Sequence, residues 1–280
     1  MPLLRLGIEL AALRSQRGLD AKDAARHVGI SPSQLSKIEN GARAISEEQL
    51  RKLLDFYGLD DDERSPVEHL AAATTRTAWW DRYDDVLPAG LETYVGLEQT
   101  AEELDAVEVT FIHGLAQTEA YAHATLTALL PGYGPANIDR AVKLRMNRQR
   151  ILHEPDRRIH LIIDEMALHR VIGGPEVMRG QLRRLREVAE MPVATVQVIP
   201  LTAGAHIGQD GPFTVLTYRA NTSRDQDWRF VYTGGPFGNL YESKQKTVLE
   251  FVDRYARLIE AAASAEETLK IIDMIEKEYT

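Results

Sequence analysis

Ser33, Gln34, Ser36 and Lys37 lie close together in the stretch Gly29 to Gly41, interleaved with Leu35 and Ile38. Hydroxyl, carboxamide and ammonium groups on a surface of this kind can donate and accept hydrogen bonds at base edges, with Lys matched to guanine and Gln to adenine. The spacing tells how they are presented. Leu35 and Ile38, three apart, turn inward on a helix and leave the four polar residues outside. Gly29 suits the positive φ of a sharp turn, Ser31 an N-cap and Pro32 the first helical position, where a missing N–H costs nothing. Asn40-Gly41 supplies a stop, with Gly41 in the left-handed position. The pattern predicts a turn followed by a short helix starting at Pro32, the arrangement by which a helix-turn-helix reads DNA.

The flanking sequence predicts the elements that would hold this helix. Leu6, Leu10 and Leu13 form a helical stripe ending near Gly18. Asp20 then caps a short helix that buries Ala24, Ala25 and Val28, the two alanines being small enough for a steep helix crossing. Ser46 with Gln49 reads as a capping box for a fourth helix to Tyr57, whose apolar positions are Leu50, Leu53, Leu54 and Phe56. Residues 1–59 carry nine Lys/Arg against seven Asp/Glu, a net charge of +2, in a chain whose total is −9. The one positive stretch is therefore the one with the motif. Its weak charge implies modest affinity per copy and a homodimer on a palindromic double-stranded operator, two half-sites about one helical turn apart.

Leu13-Arg14, Gly18-Leu19, Ala25, Val28 to Ser31, Leu35 to Gly41 and Arg43 together resemble the xenobiotic-response-element family of helix-turn-helix domains, which includes phage repressor and Cro proteins. The resemblance implies base reading by Pro32, Ser33 and Lys37, with Gln34 and Ser36 beside them. It implies DNA-backbone contacts from Arg14, Asn40 and Arg43, with Ser31 and Lys22 at the same edge. Ala21 stands where the family often has a phosphate-touching Gln, and Lys22 is its substitute.

The 280 residues are too many for this domain alone. We expect a helix-turn-helix domain of four to five helices at 1–59, a partly helical linker at 60–78 and a C-terminal domain at 79–280. The acidic run Asp60 to Glu63 and then Ser65-Pro66 mark the first boundary. With no cysteine, no apolar run of 18 residues and no signal-peptide pattern at the N-terminus, the expectation is a cytoplasmic, nucleoid-associated protein without a membrane segment. The C-terminal pattern mixes periods. Helices are expected at 92–106, 118–130, 137–152, 165–171, 175–189, 243–262 and 264–279, the last with a capping box from Ser264 and Glu267. Strands are expected at 107–112, 159–163, 193–199, 213–218 and 229–232. The fold class is an all-α N-terminal domain followed by a helix-rich α+β domain with a small sheet.

Gly114 to Thr118, Tyr121-Ala122, Arg145, Arg148-Gln149, Asp164-Glu165, Arg170, Gly173-Gly174, Gln181-Leu182, Gln197 to Pro200, Gly204 to His206 and Gly211 to Phe213 resemble the C-terminal domain of unknown function in WhiJ-type regulators of actinobacteria. His113 and Ala116 replace the usual Pro and Leu, and Thr233 stands where an acid commonly follows Tyr232. The resemblance implies a transcription regulator whose C-terminal domain receives a signal or a small acidic protein encoded nearby. His113, Gln117, Arg148, His206 and Tyr232 are the candidate effector or partner residues.

Enzyme chemistry finds little support in the sequence. There is no cysteine nucleophile, no Gly-x-Ser-x-Gly elbow and no phosphate loop, so neither an enzyme nor a cofactor is expected. His160, Glu165 and His169 could approach one another, but the two-His-and-Glu metalloprotease pattern is missing and no metal is expected. The basic run Arg140, Lys143, Arg145, Arg148 and Arg150 reads as a solvated face or as pairing with Asp164 or Glu165. The expected function is a sequence-specific DNA-binding transcription regulator whose C-terminal domain receives a signal. The alternative is an antitoxin-like binder of a partner protein that uses DNA for autoregulation.

Overall fold

The computed structural model describes residues 2–39, 43–60, 63–64, 67–68, 71, 79–88, 91–219, 227–235 and 238–279. Asn40, Gly41 and most of the expected linker lie outside the described residues. The chain divides into two compact units, Met1–Asp81 with Val95–Leu97, and Arg82–Tyr94 with Glu98–Thr280. Among the described residues no helix is long and apolar enough to cross a membrane.

The first unit contains α1 (Pro2–Gln16), α2 (Ala21–Val28), α3 (Pro32–Glu39) and α4 (Glu47–Tyr57). Local signals set their ends. Asp20 accepts from the Lys22 N–H at 2.6 Å, and Gly29 closes α2 at φ +80°, a conformation an L side chain resists. Ser46 and Gln49 complete the capping box of α4. Leu6, Leu10, Ala24, Ala25, Leu35, Ile38, Leu53 and Leu54 fuse the four helices into one core. Tyr57 is buried in this core, whereas Phe56, expected there, only packs against it. Where α1 meets α3 the fit is closer than the sequence suggested. A Cβ on Gly7 would stand 2.2 Å from the Ile38 carbonyl oxygen, so only glycine lets these backbones touch.

Next along the chain come α5 (Leu91–Glu98), whose Val95–Leu97 belong to the first unit, and β1 (Glu103–Glu108), followed by α6 (Glu119–Leu129), α7 (Pro135–Arg148) and β2 (Arg158–Asp164). Next come α8 (Met166–His169), α9 (Pro175–Ala189), β3 (Ala194–Ile199), β4 (Phe213–Tyr218), β5 (Trp228–Gly235), β6 (Gly238–Glu242), α10 (Gln245–Ala261) and α11 (Ala265–Glu278). The six strands form one mixed sheet in the order β3-β2-β1-β4-β5-β6, with β1, β2 and β3 parallel and the other pairings antiparallel. Val248, Tyr255 and Leu258 of α10 cover one face, against Val107, Ile162, Phe213, Val215 and Val231. The edge strand β3 is not left open, because its Val198 N–H meets the Thr268 hydroxyl at 3.0 Å and its Val198 carbonyl accepts from Ala263 at 2.8 Å.

Two expectations are corrected here. The helix expected over 92–106 ends at Glu98, and the strand expected over 107–112 runs from Glu103 to Glu108. Glu103 and Asp105, which fall inside the expected helix, pair across the sheet with Arg158 at 2.6 and 3.0 Å. A sixth strand, β6, was not expected at all.

Candidate functional site

On α3, Leu35 and Ile38 are buried, and Ser31, Pro32, Ser33, Ser36 and Lys37 are exposed. Ser31 caps the helix: the Gln34 N–H donates to its hydroxyl at 3.1 Å, and the Ser31 N–H donates to the Gln34 side-chain oxygen at 2.9 Å. Gln34 is thus folded back onto its own helix start and presents only its amide N–H groups. The Arg43 N–H donates to the Lys37 carbonyl at 3.1 Å, which ties Arg43 to the helix. The Arg43 and Lys22 side chains are exposed, and with Lys37 they have no ion-pair partner among the described residues.

Arg14, expected at the DNA backbone, is engaged inside the unit. Its guanidinium donates to both carboxylate oxygens of Glu39, at 2.7 and 3.0 Å, and to the Leu19 carbonyl at 3.1 Å. The hydrogen bonds that Arg14 donates to Glu39 raise the Arg14 pKa, with burial opposing. Arg14 therefore locks the last residue of α3 to α1.

The second unit holds a cavity of 210 Å3, open to solvent, with walls from α5, β1, α6, α7, β4 and β5. His113, Gln117, Arg148 and Tyr232 all line it; His206 does not. His206 instead donates to or accepts from Asp164 at 2.9 Å, and the Met166 N–H caps the other Asp164 oxygen at 2.8 Å.

At the inner wall the Arg148 guanidinium makes a two-pronged pair with Glu98, both contacts 2.7 Å, with side chains 7% and 0% exposed. Burial opposes the Arg148 charge, but Glu98 raises its pKa overall. The same guanidinium lies 5.3 Å over the Tyr94 ring, which stacks on Tyr232 at 4.1 Å. Gln117 donates to the Ile112 carbonyl at 2.7 Å and accepts from Arg145 at 2.9 Å. His113 accepts from the Leu115 N–H at 3.3 Å, and burial pushes its pKa down to about 4, which keeps the ring neutral at pH 7.

Glu108 and Arg145 complete the lining. Both keep some accessible surface because the cavity is open, yet protein surrounds their charged ends. Burial pushes the Glu108 carboxyl up to about 8 against the attraction of Arg145 and Arg148. Burial and then Arg148 bring Arg145 down to about 10, which leaves it charged at pH 7.

Glu98, Tyr94 and Glu108 escaped the sequence reading, and Arg145 was read as part of the family resemblance and of a basic run but not as a candidate site residue. Lone residues whose partners lie some 50 positions away leave no local signal. Of the two readings of the basic run, the solvated face holds for Lys143 and Arg150, which are exposed, and pairing with Asp164 or Glu165 does not occur among the described residues. Arg140 pairs with Asp85 at 2.6 Å, Arg148 with Glu98, and Arg145 with Gln117. Asp164 is taken by His206, and Glu165 by His169 at 3.2 Å and the Leu201 N–H at 2.7 Å. His160 meets Gln197 at 2.8 Å, and no cluster of three or more His, Asp or Glu suited to a metal occurs among the described residues.

Residues 5–67 match a family described as a helix-turn-helix domain, and residues 91–274 match one described as a domain of unknown function (DUF5753). No curated protein matches the chain. The first match covers α1 to α4 and the second covers the sheet and its cavity. With two thirds of its length in the second match, the chain belongs to the DUF5753 family, and it carries ahead of that domain the helix-turn-helix of a DNA-binding transcription regulator.

Proposed function

We propose that the protein is a sequence-specific regulator of the xenobiotic-response-element type. In this reading α3 enters the major groove of a palindromic operator, one copy of the chain on each half-site, within the bacterial nucleoid. The observation that carries the proposal is the surface of α3: Ser33, Ser36 and Lys37 are exposed, and Lys37, Lys22 and Arg43 have no acidic partner among the described residues. Lys37 is the reader with the longest reach, suited to guanine. Gln34, held in the cap, contributes less base recognition than its type suggests. Lys22 and Arg43 face phosphate, and Arg14 acts by holding α3 in place.

The WhiJ-like C-terminal unit is the receiver, with the cavity as its signal site and no turnover of its own. Selection from random DNA followed by binding titrations tests the reading. Lys37→Ala is expected to weaken operator binding by about 1–3 kcal/mol and relax preference at one base, while Arg43→Ala weakens all sequences alike. Unchanged affinity and preference in Lys37→Ala would remove α3 as the reader. Stoichiometric co-purification of a small protein, with no small molecule altering operator affinity, would favour the antitoxin-like role instead.

A further inference from the structure

Two groups lining the cavity are not used by the fold. The Glu108 carboxyl has no hydrogen bond or ion pair among the described residues, and Arg145 spends one N–H on Gln117 and leaves the rest of its guanidinium unassigned. Their polar neighbours are engaged by the protein. Arg148 is held by Glu98, and Gln149 donates to the Gly114 and Gln117 carbonyls at 3.0 and 2.7 Å. An acid without a hydrogen-bond partner and a base with most of its guanidinium unengaged among the described residues, set in one recess, form a pair of receptors. The lining also offers apolar surface from Leu91, Phe111, Leu129 and Phe213, beside the polar Thr125, Thr214 and Tyr232.

We propose that this cavity binds a small zwitterion of amino-acid type, its carboxylate on Arg145, its ammonium on Glu108 and its apolar body against Leu91, Phe111 and Phe213. The proposal rests on the reading of the C-terminal unit as a small-molecule receiver and gives that ligand a chemical class. A simple anion would serve Arg145 and leave Glu108 unpartnered; a simple amine would do the reverse. A molecule with both charges satisfies both groups. The 210 Å3 volume falls below the roughly 300–1,000 Å3 of drug-sized sites and sets the scale of the ligand.

Binding of this ligand moves a proton. The groups facing Glu108 are Arg145 and Arg148 from α7, Tyr121 from α6 and Tyr232 from β5, with neutral His113 on the same wall. With no ammonium beside it, burial keeps Glu108 mostly protonated at pH 7. An ammonium brought against it favours the carboxylate, so Glu108 releases its proton to solvent and becomes the counter-ion. A ligand with only a carboxylate would hold that proton in place.

Isothermal titration calorimetry of the full chain with the standard amino acids, at pH 7 in two buffers of different ionisation enthalpy, tests this. At least one amino acid is expected to bind with release of close to one proton. Its decarboxylated amine and its deaminated acid should each bind at least tenfold more weakly. Glu108→Gln should abolish proton release, and Arg145→Gln should weaken binding more than tenfold, with circular dichroism checking that each variant folds. Arg145→Lys, which keeps the charge, should recover part of the affinity. Binding by none of the amino acids, equal affinity for the deaminated acid, or undiminished proton release in Glu108→Gln would each overturn the proposal. Operator titrations separate it from the reading it rests on. A different small molecule that fills the cavity and shifts operator affinity leaves the receiver and removes the zwitterion. An amino acid that binds as described without altering operator affinity keeps the site and removes its regulatory role.

Discussion

Burying Arg148 beside Glu98 strips both charges of water, and the two-pronged contact returns that cost only while both partners are present. Arg148→Met is therefore expected to cost about 3–5 kcal/mol in urea unfolding, because Glu98 is left buried and charged. Adding Glu98→Gln should recover most of that loss; equal losses in the single and double variants would mean that the pair does not act as a unit. Glu108 makes a different statement about stability. Its folded pKa of about 8 lies above the ordinary 4.5, so the folded state holds its proton more tightly than the unfolded chain. Its stabilising contribution is full below pH 4.5, falls as pH rises towards about 8 and is level beyond that. The stability difference between the natural chain and Glu108→Gln should fall across that window, as read by denaturation from pH 5 to 9. A pH-independent difference would place the carboxyl in ordinary solvent. His113 runs the other way, costing stability as pH drops from 6.5 towards about 4, but it is common to both chains and cancels.

Among the elements, α1 and α3 meet through Gly7, with the Arg14–Glu39 pair fastening the end of α3 to α1. Gly7→Ala must drive its methyl group into the Ile38 carbonyl or separate the helices, an overpacking expected to cost about 1–3 kcal/mol. Because α3 is the displaced element, operator affinity should fall in the same variant; a thermal melt and a DNA titration matching those of the natural chain would disprove the contact. How much of this was legible depends on distance along the chain. The helices α2, α3, α4, α6 and α11 were readable because Asp20, Ser31, Ser46, Thr118 and Ser264 each cap a helix within a few residues. The start of β1 was not, since Glu103 and Asp105 find Arg158 only after the sheet has formed. β6 was missed because Gly238-Asn239-Leu240-Tyr241-Glu242 has no clean alternation and gains its identity from β5. In the cavity His113, Gln117, Arg148 and Tyr232 were named from motif resemblance, whereas Glu108 stood in a strand whose position had been misplaced by four residues. His206 was named with them, but its motif leads to Asp164.

For the whole molecule, charge limits how DNA can be held. The chain totals −9 while residues 1–59 carry +2, and Arg17, Arg26, Lys52 and Arg14 are already paired with acids. With Lys22 and Arg43 as the phosphate contacts, two copies on two half-sites make about four such contacts and a salt slope of about −4 in a log–log plot. One bound copy gives about −2. Anisotropy titrations between 50 and 200 mM salt distinguish these, and a slope near −2 at full operator affinity would sink the two-copy arrangement. The sheet order has a consequence in time. β1 lies between β2 and β4, yet β4 begins at Phe213, some hundred residues after β1 ends at Glu108. At a synthesis rate of about 5–20 residues per second, the cavity's β4 wall emerges roughly 5–20 s after its β1 wall, while α1 to α4 have long since left the ribosome. In the proposed reading, a newborn chain therefore carries its DNA reader before its signal site is complete.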